Sequence, residues 1–320
     1  MFVPVHAATA PDAAVADAAT AANVSTPIEE VQVSGERPGP GLWKVSRGDH
    51  TLYILATLTP LPRKVTWRSR EVERVLAKAQ LLIPERPSVS IKAGPITAIR
   101  LYAQWRHARD NAENAKLSQV LPADLYRRFS ILRNKYAPHD AGIEDRRPLL
   151  AAEALYSKAV EAVGLTTKNT VAESVVKLAH KARVPVAEIQ QRLDDPRAVL
   201  SDFSKISLGA EQACLGATVA RLETDLGTMR DRATAWSVGD VSAMRNQPAI
   251  DQENACWGAL VTAPRIAQLR LQFEAQWFDA VVKSLESNVT TLAVAQISRL
   301  LEPNGVLSKL RARGYQVTAP

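Results

Sequence analysis

Leu42-Trp43-Lys44-Val45 and Thr51-Leu52-Tyr53-Ile54-Leu55 flank the turn residues Ser46-Arg47-Gly48-Asp49, and this stretch decides the fold class. Two short apolar segments rich in β-formers around a glycine-containing turn predict a β-hairpin. Downstream, Ser69 stands at an N-cap position ahead of Val72, Val75, Leu76 and Ala79 at helical spacing. Leu81-Leu82-Ile83, stopped by Pro84, reads as a buried strand. Pro122 and Pro148 occupy first-turn positions of helices running to about Asn134 and Glu161. Val171, Val175, Leu178 and Ala182 keep helical spacing, and Val184-Pro185-Val186 reads as another strand. In the second half Leu215, Val219, Leu222 and Leu226 form one stripe, and Ile266, Leu269, Phe273, Trp277, Ala280 and Leu285 another. A strand over Val289–Ile297, a helix from Pro303 to a left-handed cap at Gly314, and a final strand at Tyr315-Gln316-Val317 close the chain. Strands separated by helices predict an α/β protein, a central sheet surrounded by helices with a helical insertion near residues 195–262.

Composition narrows the function classes. The chain has 320 residues, 46% hydrophobic and 23% charged, which excludes a wholly disordered or collagen-like polypeptide. No run approaches eighteen apolar residues, so no transmembrane helix is expected. Two cysteines, Cys214 and Cys256, exclude a four-cysteine zinc site. His6, His50, His107, His139 and His180 show none of the paired spacings of metal-binding histidines. There is no G-x-S-x-G elbow and no glycine-rich phosphate loop; Asn304-Gly305 is turn chemistry. The formal charge is +7, but its basic stretches (Arg127-Arg128 to Arg133 and Lys135, Arg146-Arg147, Lys309 to Arg313) lack interleaved aromatics. They read as solvated helix faces, so nucleic acid is not an expected partner.

Residues 1–40 differ from the rest. Ten of residues 1–24 are alanine, and Val33-Ser34-Gly35-Glu36-Arg37-Pro38-Gly39-Pro40 has linker composition. A disordered tail is expected. Val5-His6-Ala7 fits the small-residue pattern at the end of an export signal, giving a periplasmic or secreted protein whose start lies inside that signal. The alternative is an alanine-rich cytoplasmic tail. Export would permit oxidation of Cys214, on the Leu215–Leu226 helix, with Cys256; the alternative is two buried free thiols.

Gly41-Leu42-Trp43-Lys44-Val45, Tyr53-Ile54-Leu55-Ala56-Thr57-Leu58, Leu61-Pro62, Trp67-Arg68-Ser69 and the ending Leu307-Ser308-Lys309-Leu310-Arg311-Ala312-Arg313-Gly314-Tyr315 resemble the TraB/GumN family over roughly residues 41–318. Its relatives include the Tiki-type metal-dependent proteases and erythromycin-esterase-like proteins. The resemblance implies a central sheet built from two related halves surrounded by helices, with a site between the halves.

The family's first Gly-x-x-His motif aligns with Ala56-Thr57-Leu58-Thr59, and its second with Gln296-Ile297-Ser298-Arg299. Thr59 offers a metal only a weakly coordinating hydroxyl, and Arg299 has no lone pair to give. The family's Arg-Asn pair aligns with Phe273 and Glu274, and its mid-chain glutamate with Gln190, which cannot serve as a base. The strand-end glutamate survives as Glu85.

The resemblance therefore implies a remnant cleft of Thr59, Glu85, Gln190 and Arg299, with no catalytic residue, no metal and no cofactor. Glu85 and Arg299 are expected within salt-bridge range, with Thr59 or Gln296 hydrogen-bonding nearby; otherwise Arg299 turns to solvent. The expected function is a catalytically inactive member with a binding or accessory role toward a peptide, protein or cell-envelope component. The alternative is a metal-dependent hydrolase or peptidase with a rearranged site around Glu85. An anion or nucleic-acid binder using the positive charge is a third class.

Overall fold

A computed structural model describes residues 40–320, apart from 66, 68, 92–93 and 241–249 and the side chains of 250 and 251. The expected disordered tail falls almost wholly on residues 1–39, outside the described residues.

The strands are β1 (Leu42–Arg47), β2 (His50–Thr57), β3 (Leu61–Pro62), β4 (Leu81–Ile83), β5 (Ser88–Ile91), β6 (Leu165–Thr166), β7 (Gln190–Leu193), β8 (Thr290–Gln296) and β9 (Gln316–Thr318). Five of them form a mixed sheet in the order β4-β8-β2-β1-β9. The β1–β2 hairpin turns at Gly48, whose φ of +59° is open to glycine at little cost. β2 and β8 lie side by side and parallel, with Thr57 opposite Gln296, and β4 runs parallel to β8 on its other side.

Period-2 alternation splits these central strands between two cores. Leu52, Ile54 and Ala56 of β2, with Ala293 and Ala295 of β8, pack with Trp43, Trp277, Val281, Leu285 and Leu310. Leu55 of β2, with Leu292 and Val294 of β8, packs with Val72, Val171, Val175 and Trp236. Both faces of the central strands are covered, which is why β2 and β8 read as near-continuous apolar runs. A third core joins the helices Ala123–Tyr136, Pro148–Ala162, Leu208–Thr224 and Ile250–Leu260. Within it Cys214 and Cys256 form a disulfide.

Several sequence expectations shift. Ser69 does not cap its helix Arg70–Leu76 through a backbone amide; its hydroxyl donates to the Glu73 carboxylate. Val184-Pro185-Val186 makes only an isolated parallel bridge, Val186 to Leu82; Pro185 has no N–H with which to extend a ladder. An unforeseen helix, Ile297–Leu301, directly follows β8, and the helix expected from Pro303 is Val306–Ala312. They part at Gly305, where a Cβ would lie 2.5 Å from the Arg299 carbonyl oxygen. Only Ile297 and Leu300 of the first are buried, too few positions to carry a periodic signal. Gly314 closes the second at φ +80°, the left-handed cap read from sequence.

The basic stretches are largely tied down. Arg128 grips Glu223 through Nε at 3.1 Å and Nη2 at 2.6 Å. Arg146 pairs with Asp140 at 3.2 Å. Arg147, almost buried, donates to the carbonyls of Phe203 at 3.0 Å and Ile206 at 2.8 Å and pairs with buried Glu211. Arg128 and Arg147 thereby join separate helices.

Candidate functional site

Because β2, β8 and β4 are parallel, their C-terminal ends open on one edge of the sheet, where ligand crevices form in α/β folds. The chain continues there through Thr57–Thr59 after β2, Pro84-Glu85 after β4, and Gln296–Arg299 at the end of β8. The strands thus bring Glu85, Thr59 and Arg299 to the same edge.

Glu85 is only 8% exposed, so its charge needs partners. The hydroxyl of fully buried Thr57 donates to Glu85 Oε2. Asn169 Nδ2 donates to the same oxygen at 2.6 Å and lies 3.1 Å from Thr57 Oγ1. Asn169 in turn N-caps the helix Thr170–Lys181, its Oδ1 accepting from the Ala172 amide at 3.0 Å. One amide side chain therefore ends a helix and fixes the strand-end carboxylate. Arg86 Nε lies 3.9 Å from Glu85 Oε1.

The expected Glu85–Arg299 ion pair does not form. The Arg299 guanidinium lies over the rings of Phe273 (5.1 Å) and Trp277 (5.6 Å), and it has no hydrogen bond or ion pair among the described residues. Trp277 is held in place for this contact by its indole N–H, which donates to the Pro84 carbonyl at 3.0 Å. Two neutral donors already satisfy Glu85 Oε2, and a weakly hydrated guanidinium gains from stacking on aromatic faces. Burial pulls the Arg299 pKa below its ordinary value, opposed by the charges of Glu274, Glu302 and Glu85. Glu85 and Arg299 share the edge and an electrostatic interaction without touching.

Thr59 is half-buried and makes no side-chain hydrogen bond among the described residues; Thr57, two positions earlier, takes the part expected of it. Gln190 is exposed on β7 and lines an open groove with Gln276 and Asp279, with no recorded contact to Glu85 or Arg299. Gln296 donates to Glu253 Oε1 at 3.4 Å. Asn169 had a legible signal, an Asn ahead of an apolar helical stripe. Neither Thr57 nor Glu253 announced itself.

The family model described as the TraB/PrgY/gumN family matches residues 41–319. The chain belongs to this family. No curated protein and no solved structure matches it.

The metal implied by the TraB/GumN resemblance does not fit this TraB/PrgY/gumN chain's donor set. Thr59 is a neutral hydroxyl, Arg299 a cation, and Glu85 Oε2 is occupied by Thr57 and Asn169. Among the described residues no group of three or more His, Cys, Asp or Glu side chains is placed to hold an ion. The edge offers hydrogen-bond donors instead, on the stacked Arg299 and on the Gln296 amide.

Glu253 carries a pH signature. Burial first, and then the charge of Glu302, raise its pKa, against the lowering effect of Arg221. A carboxyl with a raised folded-state pKa holds its proton more tightly in the folded than in the unfolded chain, so its contribution to stability grows as pH falls from neutral into the carboxylate range. Glu253→Gln should raise the urea midpoint at neutral pH and flatten the rise in midpoint on mild acidification. An unchanged acid limb would show that burial of Glu253 has no thermodynamic weight.

Proposed function

We propose that this TraB/PrgY/gumN protein is a binding or accessory protein of the cell envelope, without the metal-dependent hydrolase chemistry that the family resemblance implies. The commitment of Glu85 Oε2 to Thr57 and Asn169 carries the reading, since it leaves only Oε1 of the strand-end carboxylate, beside Arg86, to act as a base or a ligand. Arg299, held on Phe273 and Trp277 with its N–H groups unpaired among the described residues, supports binding of a ligand that presents oxygen acceptors, such as a peptide carbonyl or carboxylate. The Cys214–Cys256 disulfide supports export to an oxidising compartment.

Metal analysis tests the loss of chemistry. Full-length protein equilibrated with zinc or manganese and then dialysed should retain far less than one ion per chain and should not cleave casein. Stoichiometric retained metal, together with casein hydrolysis abolished by a chelator, would overturn the proposal in favour of a rearranged metallohydrolase.

A further inference from the structure

The helix Pro95–Arg109 has apolar residues on both of its faces, but only one face is covered. At about 100° per residue, Thr97, Leu101, Gln104, Trp105 and Ala108 share the inner side. There Trp105 meets Phe203 with ring centroids 6.0 Å apart, Gln104 Nε2 donates to the Arg197 carbonyl at 3.1 Å, and Ala108 is buried. The opposite side carries Ile96, Ile99 and Tyr102, which are 67%, 70% and 64% exposed. Arg100, Arg106 and His107 are interleaved with them, all exposed. No acidic residue occurs from Pro95 to Arg109, and neither Arg100 nor Arg106 makes an ion pair among the described residues. Exposed large apolar side chains gathered on one helix face mark an interaction surface.

From this pairing of apolar tips with uncompensated cations we infer that the outer face of Pro95–Arg109 docks the protein on an anionic phospholipid surface. Charge complementarity selects this occupant. A second copy would bring the same arginines together across a two-fold interface, on a chain whose net charge is already +7. The face is the outside of one helix, along which Ile96, Ile99 and Tyr102 alternate with Arg100 and Arg106. A bilayer surface matches that pattern: apolar tips enter the headgroup–acyl boundary while guanidinium groups stay level with the phosphates. The described residues contain no helix long and apolar enough to cross a membrane.

Co-sedimentation of the full chain with vesicles tests this. Binding is expected to vesicles of phosphatidylglycerol and phosphatidylcholine in equal parts, to weaken with added salt, and to be much weaker on pure phosphatidylcholine. At about 1 kcal/mol per basic residue near an anionic surface, the double variant Arg100→Gln, Arg106→Gln should partition about thirty-fold less. Ile96→Ser with Ile99→Ser should also reduce binding, and because these side chains are exposed, both variants should melt with the parent protein. Failure of the parent to bind the anionic vesicles would overturn the inference and leave an acidic protein as the occupant of this face. Equal binding by the parent and both variants would overturn it as well, by moving the membrane contact elsewhere. Neither result bears on the metal analysis, so this inference and the proposed function fail separately.

Discussion

Replacing Cys214 and Cys256 together by alanine, or reducing their disulfide, is expected to lower unfolding stability by about 4 kcal/mol. The two residues are 42 positions apart, so the bridge closes a loop that spans most of the helix Leu208–Thr224 and reaches into Ile250–Leu260. Releasing that loop enlarges the unfolded ensemble, and the chain-entropy cost of a loop of this length gives the figure. The effect is concentrated in the third core, where Cys214 is wholly buried beside Leu215, Val219 and Leu222. Urea unfolding with and without reductant measures it. A parent protein whose midpoint is indifferent to reductant, with two free thiols countable in denaturant, would contradict both the bridge and the export argument built on it.

Trp236→Ala is expected to cost about 3–5 kcal/mol, the range for removing a fully buried large aromatic. Trp236 is 1% exposed and belongs to the helix Thr228–Ser237, yet its indole N–H donates at 2.7 Å to the carbonyl of Ala56 near the end of β2. It packs with Leu55, Val171, Val175 and Val294, and its ring lies 6.5 Å from that of Trp67. Alanine would leave a cavity against the sheet and an unsatisfied buried carbonyl beside the site. Trp236→Phe keeps much of the ring volume and loses the donor, so it should cost appreciably less. A loss below about 1 kcal/mol for the alanine variant would mean that the neighbouring helices close over the gap, since the cost of such a deletion depends on how far the site can collapse.

The disulfide joins Leu208–Thr224 to Ile250–Leu260 within the helical core, whereas Trp236 fastens a third helix, Thr228–Ser237, to β2 beside the candidate site. Without Trp236 the backbone at Ala56 loses a donor, and Thr57, the next residue, is the hydroxyl that holds Glu85. Packing of the Thr228–Ser237 helix and the arrangement of the site are therefore coupled through two consecutive residues of β2.

Local pattern alone determined much of this protein. The β1–β2 hairpin, the strand at Leu81-Leu82-Ile83, the long helix with Trp277 on its stripe and the cap at Gly314 all follow from apolar spacing and turn residues within a few positions of one another. The family resemblance adds that Thr59 and Arg299, which stand where its ligands are expected, are residue types that bind a metal weakly or not at all, whatever surrounds them. The partners were decided by the tertiary structure. Glu85 is bound by Thr57, 28 positions away, and by Asn169, 84 positions away, while Arg299 settles on rings from the Pro264–Ser287 helix and not on the carboxylate. Spacing reports which face of its own element a side chain occupies. The group it meets depends on how separate elements pack, and a buried carboxylate goes to whichever donors the assembled fold delivers first.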